Sequence, residues 1–143
     1  MVLFYDGVCG LCDHIVRFVL QHDRAGVFRF APLQSDYAAA VLARHGRDAS
    51  ELDSVCLLVD PDGPNERLLA RSDAACAVFA GLGGAWRLLA LGRFLPRPLR
   101  DAAYDAVASR RYRWFGRFDQ CPIPSPLLRE RFARQALESA PPL

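Results

Sequence analysis

Apolar and polar positions along the 143-residue chain change period several times, and each change marks an element. Val2, Leu3, Phe4 and Tyr5 form an unbroken apolar run suited to a buried strand, and Asp6-Gly7 interrupts it with turn chemistry. Leu11, Ile15, Phe18 and Val19 then recur at helical spacing, so a helix is predicted from the cysteines at 9 and 12 to about residue 22. A turn over 23–26 leads into a second strand over 27–31, ended by Pro32. Strand, helix and strand in this short span make a βαβ unit with parallel strands. Ser35 is placed to cap a helix over 36–45 that carries Tyr37, Val41 and Leu42 inward and stops at Gly46.

A polar connector over 47–53 precedes the apolar run Val55-Cys-Leu-Leu-Val59, which predicts a strand over 54–60. Asp60-Pro-Asp-Gly63 supplies a turn, and a fourth strand over 66–70 completes a hairpin. Ser72 is positioned to cap a helix over 73–82, which Gly83-Gly84 ends. From residue 85 the pattern is helical only: a short piece over 86–91, a helix from Pro98 to about 114, and a last one over 126–137, with a tail from 139 left to fray. Pro122, Pro124 and Pro126 make the intervening link extended and stiff. The chain is therefore α/β, and is expected to be a single domain over 1–143. Residues 1–82 form its core and 83–143 a helical extension packed on it, since Trp86, Phe94, Leu99, Tyr104 and Val107 need an apolar surface to cover.

Chemistry concentrates where strand gives way to helix. Cys9 falls at or before the first helical turn, where free backbone N–H groups and the helix dipole favour a thiolate. Cys12, one turn on, can reach its sulfur, and lies between Leu11 and Ile15, so Cys9 is expected to be the exposed nucleophile and Cys12 the deeper, resolving thiol. The competing reading is half of a zinc site serving a partner interaction, although no second Cys-x-x-Cys or His-x-x-x-His follows in the sequence. Asp6 is a candidate proton relay for Cys12 or a side chain that hydrogen-bonds the turn; His14 is a candidate thiolate partner or a solvated helix residue. Cys121 is a candidate third thiol, Cys56 reads as an inert core residue, and Cys76 faces either the core or a neighbouring helix. Arg110, Arg111 and Arg113, with Tyr112 and Trp114, either cap the site or pair with the core.

The string Asp6-Gly7-x-Cys9-x-x-Cys12 resembles the DCC family of thiol-disulfide oxidoreductases, named for that aspartate and those two cysteines. Later blocks are similar to the family's as well: Ser72-Asp73-Ala74, Gly83-Gly84-Ala85-Trp86, Pro96 with Leu99-Arg100-Asp101, Tyr104, Arg110-Arg111-Tyr112-Arg113 and Phe115-Gly116. The likeness runs over about residues 2–121. It implies a thioredoxin-like fold, and the order β-α-β-α-β-β-α over the first 82 residues is that of the minimal thioredoxin or glutaredoxin core. It also implies a reaction, thiol-disulfide exchange on a disulfide-containing protein or a low-molecular-weight thiol, with Cys9, Cys12 and Asp6 at the site and no cofactor. One departure is visible: thioredoxin-like enzymes carry a cis-proline just before the third core strand, and Asp53-Ser54-Val55 contains none.

Composition narrows the setting. A hydrophobic fraction of 52% with 24% charged residues describes a globular chain, and no segment reaches the ~18 to 20 unbroken apolar residues that spanning a bilayer requires. The N-terminus lacks a basic, apolar and cleavable leader pattern, and five cysteines is an odd count suited to a reducing compartment, so a cytoplasmic setting is expected. A net charge of +2 is too small to imply nucleic acid as a partner. All 18 basic residues are arginine, and eight of them lie between 85 and 117 against only Asp101 and Asp105.

Overall fold

The computed structural model of the chain describes residues 1–48, 55–119 and 131. The opening apolar run is strand β1, Val2–Tyr5, buried at every position because both of its faces are covered. Val2 and Phe4 point into one core with Ala38, Val41 and Leu42, while Leu3 and Tyr5 point into a second core with Cys12, Val16, Val19, Ala74 and Val78. Around β1 the sheet is assembled from β2 (Arg29–Pro32), β3 (Cys56–Val59) and β4 (Arg67–Ala70) in the order β2-β1-β3-β4. β1 runs parallel to β2 and antiparallel to β3, and β3 and β4 form the expected hairpin.

Helix α1, Gly10–His22, makes the crossover from β1 to β2 and shares its face of the sheet with α3, Arg71–Leu82; α2, Asp36–Arg44, covers the other face. This is a thioredoxin-like α/β fold, with the parallel β1–β2 pair and the β3–β4 hairpin as the sequence implies. Ser35 caps α2 as its position predicts, accepting from the Ala38 amide at 3.2 Å and donating to the Pro32 carbonyl at 2.7 Å.

Two expectations are corrected beyond β4. The helix expected to start under a Ser72 cap begins a residue or two earlier: Ala70 is its N-cap, without a side-chain cap, and Arg71 turns the chain with φ +55°. Ser72 is instead buried and donates from its hydroxyl to the Asp101 carboxylate, while Arg71 pairs with Asp105. The long helix expected from Pro98 breaks in two, α5 over Arg97–Ala108 and α6 over Arg111–Phe115, with the chain turning at Ser109 and Arg110. The short piece before them is α4, Arg87–Ala90, flanked by 3-10 turns at Gly84–Trp86 and Leu91–Phe94.

These helices lie on the α1 and α3 side, α4 and α5 against α3 and α6 against α1. Trp86 seats the extension through edge contacts with Phe18 and His22, ring centroids 4.8 and 5.0 Å away. The hydroxyl of Tyr104 accepts a hydrogen bond from the Val55 amide at 3.2 Å, where the chain enters β3. Phe94, Leu99 and Val107, expected to be covered by this packing, are exposed. The expected last helix over 126–137, the proline-containing link and Cys121 lie outside the described residues, as does most of the connector before β3.

A fragment ending at residue 82 loses the contacts that Trp86 and Tyr104 make with α1 and β3. Urea unfolding followed by circular dichroism is expected to be broad and non-cooperative for that fragment; a sharp transition in a soluble 1–82 chain contradicts this.

Candidate active site

The turn after β1 is built by Asp6. Its Oδ1 accepts from the Val8 amide at 3.1 Å, closing the turn in the manner expected of aspartate, and its backbone carbonyl accepts from the Cys9 amide at 3.2 Å. Cys9 is the N-cap of α1, with extended backbone (φ −92°, ψ 120°) and no side-chain cap bond, and its carbonyl takes the first helical hydrogen bond, from Asp13 at 3.1 Å. Helical spacing then brings Cys12 beside Cys9. Burial, followed by the nearby Cys9 sulfur and the hydrogen bond between the two side chains, pushes the Cys12 thiol up to about 12, while the Asp6 amide on its sulfur opposes that rise. Burial and its neighbour thus favour the protonated form of Cys12.

Cys9 is not exposed as its position suggested, nor is Cys12 the deeper of the two. Both are buried, Cys9 completely. The cover is a strap at the end of α6. The Gly10 amide donates to the Gly116 carbonyl at 3.2 Å, the Phe118 amide donates to the Val8 carbonyl at 2.8 Å, and Cys9 and Arg117 form an antiparallel β-bridge. Gly116, at φ +76°, turns the chain into this strap. The first residue between the cysteines has to be glycine, because a Cβ at position 10 would lie 2.1 Å from the Phe115 carbonyl oxygen.

The strap is fastened by the same aspartate. Tyr112 donates its hydroxyl to Asp6 Oδ2 at 2.5 Å, and Gln34, in the loop after β2, donates to Oδ1 at 2.9 Å while accepting from the Gly7 amide at 3.2 Å. Burial works to raise the Asp6 pKa, but the bonds from Tyr112, Val8 and Gln34 and the Arg111 charge outweigh it and hold the carboxyl below the usual carboxylate range. Burial and the Asp6 bond together raise the Tyr112 hydroxyl, so it remains a donor. Arg111 is buried beside them, with Nη2 3.0 Å from the Tyr112 hydroxyl and 3.8 Å from Asp6 Oδ2, and its guanidinium stacks 4.5 Å from the Tyr112 ring centre. Burial disfavours its charge, yet the Tyr112 bond and the nearby Tyr112, Cys9 and Cys12 groups raise its pKa above the ordinary value. A buried cation thus stands next to the dithiol. A cavity of about 220 Å³ borders Asp6, Cys12 and Arg111 and extends between α1, α3 and α5 past Ile15, Val78 and Tyr104.

The model of the DCC1-like thiol-disulfide oxidoreductase family matches residues 3–117, from β1 to the strap residue bridged to Cys9. The chain belongs to this family. It is similar to the Bacillus subtilis protein YuxK, with 37% identity over 131 residues that cover 92% of each chain. It is also similar to a chloroplastic DCC family protein of Arabidopsis thaliana, with 36% identity over 123 residues, 85% of this chain and 69% of the relative. No solved structure matches.

The other residues singled out in this DCC family sequence sit apart from the dithiol or at its margin. Cys56 is buried on the opposite face of the sheet, under α2, where burial pushes its thiol up to about 11. Cys76 faces the extension, 3.7 Å from Arg100 Nη1. His14 is exposed and meets Phe115 edge-on, ring centroids 6.0 Å apart. Arg110 bonds the Ala106 carbonyl at 2.9 Å on the surface, and Arg113 and Trp114 are exposed, so Arg111 alone of the three arginines reaches the site with Tyr112. Gln34 was not singled out. The signal for it was the parallel pairing of Tyr5 with Pro32, which sets the residues after β2 beside those after β1. Among the described residues no group of three or more His, Cys, Asp or Glu side chains is placed to hold a metal ion, and no helix is long and apolar enough to cross a membrane.

Two predictions follow from this geometry. Gly10→Ala forces the strap away from the α1 N-terminus, at a cost of about 1–3 kcal/mol, and speeds alkylation of Cys9 in the folded protein; an unchanged rate at a position confirmed by peptide mapping contradicts the cover. Asp6→Asn is expected to lose about 2 kcal/mol at neutral pH, since charge-assisted bonds become neutral ones. Because the folded-state pKa of Asp6 is depressed, its contribution is complete above about pH 4 and is lost as pH falls through the lower folded value. Unfolding curves of wild type and variant should converge on acidification; a gap that stays constant contradicts the assignment.

Proposed function

We propose that the chain reduces or forms disulfides by cycling Cys9 and Cys12 between dithiol and disulfide, with a protein disulfide or a low-molecular-weight disulfide as substrate. The observation that carries this reading is the placement of two hydrogen-bonded cysteines at the N-terminus of α1, beside a buried arginine. In the reducing direction the Cys9 thiolate attacks one substrate sulfur; that S–S bond breaks, a Cys9–substrate disulfide forms, and the departing thiolate takes a proton. Cys12 then gives up its proton and attacks Cys9. The mixed disulfide breaks, the second substrate thiol leaves, and a Cys9-to-Cys12 disulfide remains, two electrons having passed to the substrate.

Cys9 is assigned the attack because it lies at the helix N-terminus with Arg111 alongside, whereas burial keeps Cys12 protonated until a mixed disulfide is in place. Asp6 has three donors on its carboxylate and a lowered pKa, which makes it a weak base; we assign it to holding Arg111 and Tyr112 in place. Substrate reaches Cys9 only when the strap over 115–118 lifts from Val8 and Gly10. The odd cysteine count supports a reducing compartment, and we place the reaction in the cytoplasm.

Single-cysteine variants test the order of attack. Cys12→Ser incubated with oxidised glutathione is expected to accumulate a covalent adduct on Cys9, detected by mass spectrometry, while Cys9→Ser loses turnover and forms adduct at least tenfold more slowly. Equal adduct formation on Cys12 in the Cys9→Ser protein overturns the assignment, and absence of adduct in every variant overturns the exchange reaction itself.

A further inference from the structure

The extension wears its large apolar side chains on the outside between α4 and α5. Leu88 and Phe94 are 68% and 71% exposed, and Leu89, Leu91, Leu95 and Leu99 are all about half exposed or more. The inner side of the same segment is made of small residues: Ala90 is buried, and a Cβ added at Gly92 would lie 3.9 Å from Cys76 Sγ in α3. An amphipathic segment that serves only its own core is built the other way round, with the large side chains inward. Trp86, wedged against Phe18 and His22, holds the start of the segment to the core, so the outward leucines are not a frayed end. A contiguous apolar surface of this kind on a folded chain marks a contact site.

Charge identifies what it contacts. Every ionised residue between 84 and 100 is an arginine (87, 93, 97 and 100). Arg100 is drawn inward to Asp73 at 3.0 Å, and Arg97 reaches the same carboxylate while remaining 70% exposed. Arg87 and Arg93 have no acidic partner among the described residues, and Arg93 lies over the ring of Phe94 at 5.0 Å. A second copy of the chain would offer the same segment, with arginines and no carboxylate to meet them. A nucleic acid would leave the leucines in water. Protruding aliphatic side chains interleaved with arginines whose stems can lie along apolar surface fit the boundary between acyl chains and negatively charged headgroups.

We propose that the segment over 87–99 docks the protein on the surface of an anionic phospholipid bilayer, with Leu88, Leu91 and Phe94 entering the headgroup boundary and Arg87, Arg93 and Arg97 meeting the phosphates. The protein lies on the membrane without crossing it, and the docking is independent of the thiol chemistry. The full chain is mixed with vesicles of phosphatidylcholine alone or with added phosphatidylglycerol and sedimented. It is expected to pellet with the anionic vesicles and far less with the zwitterionic ones, and to be released by salt. Arg87→Ala with Arg93→Ala lowers partitioning about 25-fold, roughly fivefold for each charge. Leu88→Gln with Phe94→Gln abolishes pelleting while circular dichroism and thiol reactivity stay as in the wild type, which separates docking from folding. Absence of phosphatidylglycerol-dependent pelleting, pelleting of either double variant equal to that of the wild type, or a dimer in sedimentation velocity that Phe94→Gln dissolves overturns the proposal.

Discussion

The carboxylate of Asp6 collects hydrogen bonds from three separate parts of the chain: the Val8 amide in its own turn, Gln34 after β2, and Tyr112 in α6, more than a hundred residues away in sequence. Hydrogen bonds to a charged group in a partly buried setting contribute about 1.5–3 kcal/mol each, well above an exposed pair. The turn fixes where α1 begins and hence where Cys9 sits; Gln34 ties that turn to the second parallel strand; Tyr112 brings α6 close enough for Arg111 to be buried beside the thiols. With this one group neutral or absent, no other side chain among the described residues bonds all three.

The sheet separates Cys56 from the Cys9 and Cys12 pair. Cys56, two strands from the dithiol in chain order but paired with Phe4 of β1, is packed under α2 on the far face. Cys9 and Cys12 share the near face with α3 and the extension, where the sheet ends in an arginine and a tyrosine instead of more apolar packing. The strap makes this arrangement a closed one. Gly10 permits backbone to lie on backbone at the helix N-terminus, so the dithiol is sheltered by a few hydrogen bonds that are individually modest.

Local chemistry was legible in the sequence. The apolar run of β1, the glycine and aspartate after it, the helical spacing of Leu11 to Val19, the Ser35 cap and the Asp60 to Gly63 turn each act over a few residues, and each is found where its pattern places it. What failed was long-range. Nothing in the spacing around Cys9 reveals that residues 115–118 will cover it, because burial by a distant strap leaves no periodic trace. Ser72 looked like a cap, yet an acidic residue 29 positions on claimed its hydroxyl. The helix from Pro98 ran on in pattern through Ser109, while Tyr112 and Arg111 are pulled toward Asp6 and the chain turns to let them. Gln34 carried no pattern of its own and became visible only through strand register.

Equilibration of the wild-type protein across a series of glutathione redox buffers, followed by acid trapping and peptide mapping, tests the central claim most directly. The account predicts a single two-electron transition that links Cys9 to Cys12, with Cys56 remaining reduced throughout. A transition that links Cys9 to a different cysteine, or the absence of any disulfide between Cys9 and Cys12 at every poise, would contradict it.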